Sequence, residues 1–361
     1  MTDMDTMAED RAESIRMIRD SAAAVAPPEG DLRRIRDLRF TPAGHDPAIW
    51  RQMGELGWIG LLLPEEQGGA GLGMAECCAL AEELGRGLVP EPLIQGWLSA
   101  ALLGAAGEEV VLAKLLAGET LALAAWQEAP DALDAPGTPD VPRLFLPCAR
   151  QAEHFLMPVR DGGRLALHLL PASGQEVDLR ATQDGGHVAT LHPDMQAARR
   201  LADDVAAPLA RALDEAALAT AAYLLGVMER AFGMTLDYLR TRQQFGRPIG
   251  SFQALQHRAV DLKIQAALTR ASVESAAATL DSLPADAVAP RQAAVSRAKA
   301  RAAEAALLVT RQAVQLHGAI GYTDEYDVGL FVRKAMVTAN QFGSAALHRR
   351  RFAATVPDGE E

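Results

Sequence analysis

A chain of 361 residues is too long for one ordinary hydrophobic core, and at about 100–200 residues per domain it divides into two or three. Its net charge of −12, from 35 Lys and Arg against 47 Asp and Glu, disfavours nucleic-acid binding, which needs a basic surface. Hydrophobic residues make up 49%, yet charges interrupt every apolar run before the roughly 18 residues that span a bilayer, so no membrane segment is expected.

The start, MTDMDTMAEDRAESIRMIRD, is acidic and polar where a secretory signal has a basic start and an apolar centre, which points to the cytoplasm. From residue 31 to about 118 the pattern is helical with strong punctuation. One helix stops at Gly57, an apolar stretch turns around Pro64 and Gly68-Gly69, and a second helix from Met74 ends at Gly85 to Gly87 and Pro90. Between 120 and 200, Pro, Gly and Asp punctuate short apolar runs at 143–146, 154–159 and 164–170, whose lengths suit strands. From 206 onward Leu218, Ala222, Leu225, Met228 and Phe232 set a helical period, and long helices are expected at 206–242, 251–283, 288–317 and 324–354. Antiparallel neighbours of that length bury their stripes as a four-helix bundle. The expected fold is mainly α with a small β domain: N-terminal helices over 1–118, a central, β-barrel-like domain over 119–203, and the bundle over 204–361. Cys77, Cys78 and Cys148 leave one thiol unpaired in any scheme and are expected to be reduced and buried. The eight histidines lack metal-ligand spacing, so no metal is expected. Arg349, Arg350 and Arg351 are expected at a helix end, where they would interact favourably with the helix dipole.

Two motifs carry chemistry: RQQFGRPIGSFQALQHR at 242–258 and QLHGAIGYTDEYDVGLFVRKA at 315–335. With LGWIGLLLPEEQGG and AEELGR nearer the N-terminus, they closely resemble the acyl-CoA dehydrogenase family of flavoproteins over about 31–355. The resemblance implies FAD as cofactor and an acyl-CoA thioester as substrate, with electrons passed to an electron-transfer flavoprotein. It also implies a homodimer or homotetramer, or a heterotetramer with a second acyl-CoA dehydrogenase-like subunit.

A flavin diphosphate needs cationic or backbone donors, and adenine offers a flat face to an aromatic ring. Arg242 and Phe245, three apart at a helix end, match the family's pyrophosphate and adenine contacts; the plainer use of each is an ion pair and bundle packing. Gln315, Gly318 and Ala319 match a Gln-and-Gly-Gly contact to adenosine, with Ala in place of the second Gly; the plainer use is a helix cap. Arg247 and His257 could reach phosphates or serve surface ion pairs. The flavin-edge segment of the family corresponds to 121–137 through Trp126-Gln127-Glu128, where no contact is assigned.

Dehydrogenation in that family needs a carboxylate to remove the α proton, from an apolar cavity that raises its proton affinity. Nine residues after the matching Arg333 that carboxylate is replaced by Phe342, in Gln341-Phe342-Gly343-Ser344. Relatives with a base on the first bundle helix place it at Ala216 here, beside Asp214 and Glu215, and a one-residue slip rotates a helical side chain by about 100°. Glu215 is the catalytic candidate, against favourable charge near a helix start or on a solvated face, and Ala217 stands where the base's usual Arg would be. Asp324, with Asp327 three residues on, is expected to cap the last helix, and Glu325 to be structural. Three functions follow: a self-sufficient dehydrogenase using Glu215, a non-catalytic subunit of a heteromeric dehydrogenase of the kind that degrades steroid side chains, and a flavin-free structural or binding module.

Overall fold

The computed structural model describes residues 3–27 and 30–355. Six helices open the chain: α1 (Asp3–Ala22), α2 (Arg33–Leu38), α3 (Pro47–Glu55), α4 (Met74–Arg86), α5 (Leu93–Ala106) and α6 (Glu109–Leu116). Seven strands follow: β1 (Ala122–Ala124), β2 (Arg143–Pro147), β3 (His154–Asp161), β4 (Arg164–Pro171), β5 (Glu176–Ala181), β6 (His187–His192) and β7 (Arg199–Ala202). Then come α7 (Ala206–Thr241), a hairpin of β8 (Gln243–Gln244) and β9 (Arg247–Pro248), α8 (Gln253–Ser282), α9 (Val288–His317), α10 (Val328–Thr338) and α11 (Ala345–Thr355). The described residues form two compact units, one from 3–32, 78–89 and 218–355, the other from 33–77 and 90–217.

In the second unit, Asp46 caps α3 by accepting from Ala48 N at 2.9 Å, with Pro47 in the first turn, where its missing N–H costs nothing. Trp50 and Trp97 are buried with their indole N–H groups satisfied by Thr120 O at 3.1 Å and Trp58 O at 2.7 Å. The strands make two sheets, ordered β1-β3-β4-β7 and β2-β6-β5. β3 and β4 pair antiparallel from His154↔Pro171 to Asp161↔Arg164, and β1 joins β3 in parallel. Among the described residues, Cys77, Cys78 and Cys148 are buried and form no disulfide.

In the first unit, α9 is the central helix, packing against α8, α10 and α11. Its small residues, among them Ala298, Ala302, Ala306 and Ala313, are buried and let the neighbours approach. α4 and α7 cross almost backbone to backbone: a Cβ at Gly85 would lie 2.1 Å from Tyr223 O, and one at Gly226 1.9 Å from Glu82 O. Beside that crossing Glu82, 3% exposed, meets Arg19 and Arg86 at 2.8 Å each and Arg270 at 2.6 Å. Glu229 adds a second carboxylate against Arg86 and Arg270.

The helix expected over 324–354 is two helices. It breaks at 339–344, where Phe342 and Gly343 have φ of 52° and 96°, values no α-helix accommodates. Arg349, Arg350 and Arg351 consequently lie inside α11 rather than at a helix end, and Arg349 pairs with Glu304 of α9. Among the described residues, no helix is long and apolar enough to cross a membrane.

Candidate functional site

α7 stops at Thr241, so Arg242 and Phe245 do not share a helix face, as their spacing suggested; they stand on a hairpin. Gln243 pairs with Pro248 and Gln244 with Arg247, leaving Phe245 and Gly246 as the two turn residues, both with positive φ, 54° and 74°. That is the signature of a type I′ turn, whose twist matches the strands it joins. A phenylalanine held there is strained by about 1–3 kcal/mol. Phe245 is 90% exposed, and its ring meets that of Phe252 edge-on with the centroids 6.0 Å apart. Arg242 is exposed and, among the described residues, has no carboxylate partner. Bundle packing and an ion pair therefore account for neither side chain. The Arg247 guanidinium lies 4.2 Å from the centre of the Phe252 ring, a cation–π contact instead of the expected ion pair. His257 is exposed on α8.

The second motif ends α9 at His317, as the small residues implied. Gly318 has φ 65° and ψ −141°, a conformation essentially reserved for glycine, and its N–H returns to Gln315 O. A Cβ at Gly318 would meet nothing within 4 Å, so the turn presents bare backbone to open space. Gln315 and Ala319 are exposed beside it.

Phe342 is 5% exposed in the break between α10 and α11. Three carbonyls of that break are held by buried basic side chains. Lys299 Nζ, on α9, donates to Ala339 O and Gly343 O, each at 2.8 Å, and its residue is fully buried. His348 Nε2, on α11, donates to Phe342 O at 2.8 Å, while its Nδ1 accepts from Ser296 Oγ at 3.3 Å. Sequence reasoning found Phe342 but not Lys299 or His348; a lysine in an Ala- and Arg-rich helix reads as solvated. Asp327 is the N-cap of α10 but makes no side-chain cap hydrogen bond, and Asp324 pairs with Arg333 at 3.2 Å. Asp324, the expected cap, lies three residues before the N-cap position because α10 starts only at Val328, and Asp327 at that position has helical φ and ψ, where a cap residue is normally extended.

In the second unit, Asp214 and Glu215 are each 8% exposed, so a solvated face is not their setting. Glu215 Oε1 accepts from Arg211 Nε at 2.7 Å, one turn back on α7. Ala216 and Ala217 are buried beside them. Arg143 is fully buried and donates to the carbonyls of Ala125, Val141 and Thr138 at 3.1, 2.5 and 2.7 Å. Glu128 lies 3.4 Å from that guanidinium and accepts from the amides of Gly137 and Thr138 at 2.6 and 2.9 Å. The segment after Trp126 is thus a loop closed on its own carboxylate, an arrangement its sequence did not reveal.

Residues 12–119 match the profile of the acyl-CoA dehydrogenase N-terminal domain, and 187–356 that of the acyl-CoA dehydrogenase C-terminal domain. The chain is 32% identical over 352 residues to acyl-CoA dehydrogenase IpdE2 of Mycolicibacterium smegmatis, covering 96% of this chain and 99% of that protein. Among solved structures it is similar to the ChsE4-ChsE5 complex from Mycobacterium tuberculosis, with TM-score 0.84 and 26% identity over 97% of this chain and 98% of that one. It is also similar to the Tcur3481-Tcur3483 steroid ACAD G363A variant, with TM-score 0.83 and 26% identity over 96% and 98%.

Proposed function

Because this chain belongs to the acyl-CoA dehydrogenase family, we propose that it is one subunit of a heteromeric FAD-dependent acyl-CoA dehydrogenase, whose other, related chain supplies the base. Phe342 carries this proposal: the position that presents a carboxylate in many members holds a buried ring, and a phenyl group cannot accept a proton. The two-chain assemblies named among its structural relatives support a partner, and one is named a steroid ACAD, which favours a steroid-derived acyl group.

FAD is the cofactor of the family, and the first unit has groups that suit it. The exposed Arg242 guanidinium has the charge and donors for a diphosphate, and the exposed Phe245 ring the face for adenine. Gln315 and the open backbone at Gly318 suit the adenosine end. When bound, FAD supplies the acceptor for the β hydride, with an electron-transfer flavoprotein as the onward acceptor. The α proton must go to a carboxylate, which this chain does not offer at Phe342.

The test is an anaerobic absorbance spectrum of the chain purified alone, before and after a panel of acyl-CoA thioesters. No bleaching is expected; a flavin that bleaches in the single chain overturns the proposal. The second function, Glu215 as an internal base, is favoured by its burial and by the Arg211 contact that orients it. If the single chain bleaches and Glu215→Gln abolishes bleaching, the base is Glu215.

A further inference from the structure

The last side chain of α9, His317, is 2% exposed and enclosed by two tyrosines. Tyr238, in the last turn of α7, stacks on it with centroids 4.5 Å apart and planes 28° apart; Tyr326, just before α10, lies 4.8 Å away at 43°. The His317 Nδ1 is 2.8 Å from Ala313 O. A carbonyl only accepts, so the proton sits on Nδ1 and Nε2 keeps a lone pair. Nε2 is buried and, among the described residues, has no hydrogen-bond partner.

Both candidate FAD motifs grow directly from this cluster. Tyr238 O accepts the backbone N–H of Arg242 at 2.8 Å, and Arg242 O accepts that of Ile249 at 2.8 Å, which closes the base of the hairpin that projects Phe245. On the other side Gly321 packs so closely that a Cβ there would lie 3.1 Å from His317 Cβ and 2.7 Å from Val314 O. The turn from Gly318 to Tyr322 is thereby seated on the histidine itself.

We propose that His317 is a positioning residue that locks the Arg242–Phe245 hairpin and the Gln315–Ala319 turn into one arrangement, as the adenosine diphosphate half of the FAD site, and that it does so only as the neutral imidazole. This rests on the FAD contacts proposed above. A protonated ring would add an N–H at Nε2 in a place that offers no acceptor, at the full cost of an unsatisfied buried donor. Burial lowers the pKa of His317, against the raising effect of its Ala313 bond. Burial raises the pKa of the Tyr326 hydroxyl, Asp237 of α7 and Asp327 raise it further, and Arg230 of α7 lowers it. Acidification therefore releases the lock at the histidine, leaving the tyrosines neutral.

The experiment measures amide hydrogen-exchange protection at 242–249 and 318–323, together with FAD affinity by fluorescence titration, from pH 7.5 to 5 on the intact chain. In the wild type, protection of both segments and FAD affinity fall together, by about tenfold per pH unit once the ring titrates. His317→Phe keeps a stacked ring that cannot take a proton, so the pH dependence disappears while the melting temperature at pH 7.5 is retained. If that variant does not fold, His317→Asn, which keeps a donor toward Ala313 O, serves in its place. A wild-type pH profile in either folded variant, or a response confined to one of the two segments, overturns the proposal. Arg242→Ala and Phe245→Ala separate the two ideas: unchanged FAD affinity in both removes the FAD assignment, whereas the exchange measurement needs no FAD and judges the lock alone.

Discussion

At residue scale the departure that matters is Phe342, and its backbone is as informative as its ring. A φ of 52° costs a phenylalanine about 1–3 kcal/mol, and such a residue persists where its surroundings over-determine it. Here they do: Lys299 and His348 hold the carbonyls of residues 339, 342 and 343. The loop that carries position 342 is therefore held firmly in place. Phe342→Glu is expected to raise flavin bleaching by acyl-CoA by about 100-fold or more, the usual worth of a positioned general base, in anaerobic stopped-flow measurements. No gain would mean that the loop does not face bound substrate. The burial of Glu215 was not legible in the sequence, since Asp-Glu near a helix start reads equally well as solvated charge.

Among the elements, those with strong local patterns were legible: the expected strands at 143–146, 154–159 and 164–170 lie within β2, β3 and β4, and α7, α8 and α9 end within about two residues of expectation. Two features were not. The hairpin at Arg242 is only two residues per strand, too short for a periodic signal, and its turn uses Phe-Gly where Asn-Gly would announce it. The break between α10 and α11 lies in a stretch of continuous helical periodicity, and its carbonyls are satisfied by a lysine 40 and 44 residues away. Lys299→Met is therefore expected to leave Ala339 O and Gly343 O unsatisfied, destabilising the protein by about 2–4 kcal/mol and raising hydrogen exchange first at 339–344. Denaturant unfolding and residue-resolved exchange check this; an unchanged loop would show that Lys299 does not hold it.

For the whole molecule, stability against acid depends on buried charge that no motif announces. Burial pushes the Glu82 carboxyl up, but the hydrogen bonds and charges of Arg270 and Arg19 outweigh it and hold the group down to about 2 from an ordinary 4.5. The stability this contributes, on the order of 3 kcal/mol, is fully present above pH 4.5 and is lost as pH falls toward 2. Histidines act earlier. Burial lowers the pKa values of His45, His187 and His317, so the folded state favours their neutral forms and loses stability as pH falls below about 6.5. Melting temperature is expected to fall in two stages on acidification, and Glu82→Gln to lower it at pH 7 and flatten the stage below pH 4.5; a lower stage of unchanged slope would exclude Glu82 as its source. The sequence by itself determined the family and the types of element, because periodicity, turn residues and motif spacing are local properties of the chain. Only the tertiary structure decided which charges are buried, where the last helix breaks and that the Phe245 ring is exposed, because each depends on side chains or strand pairings brought together by folding.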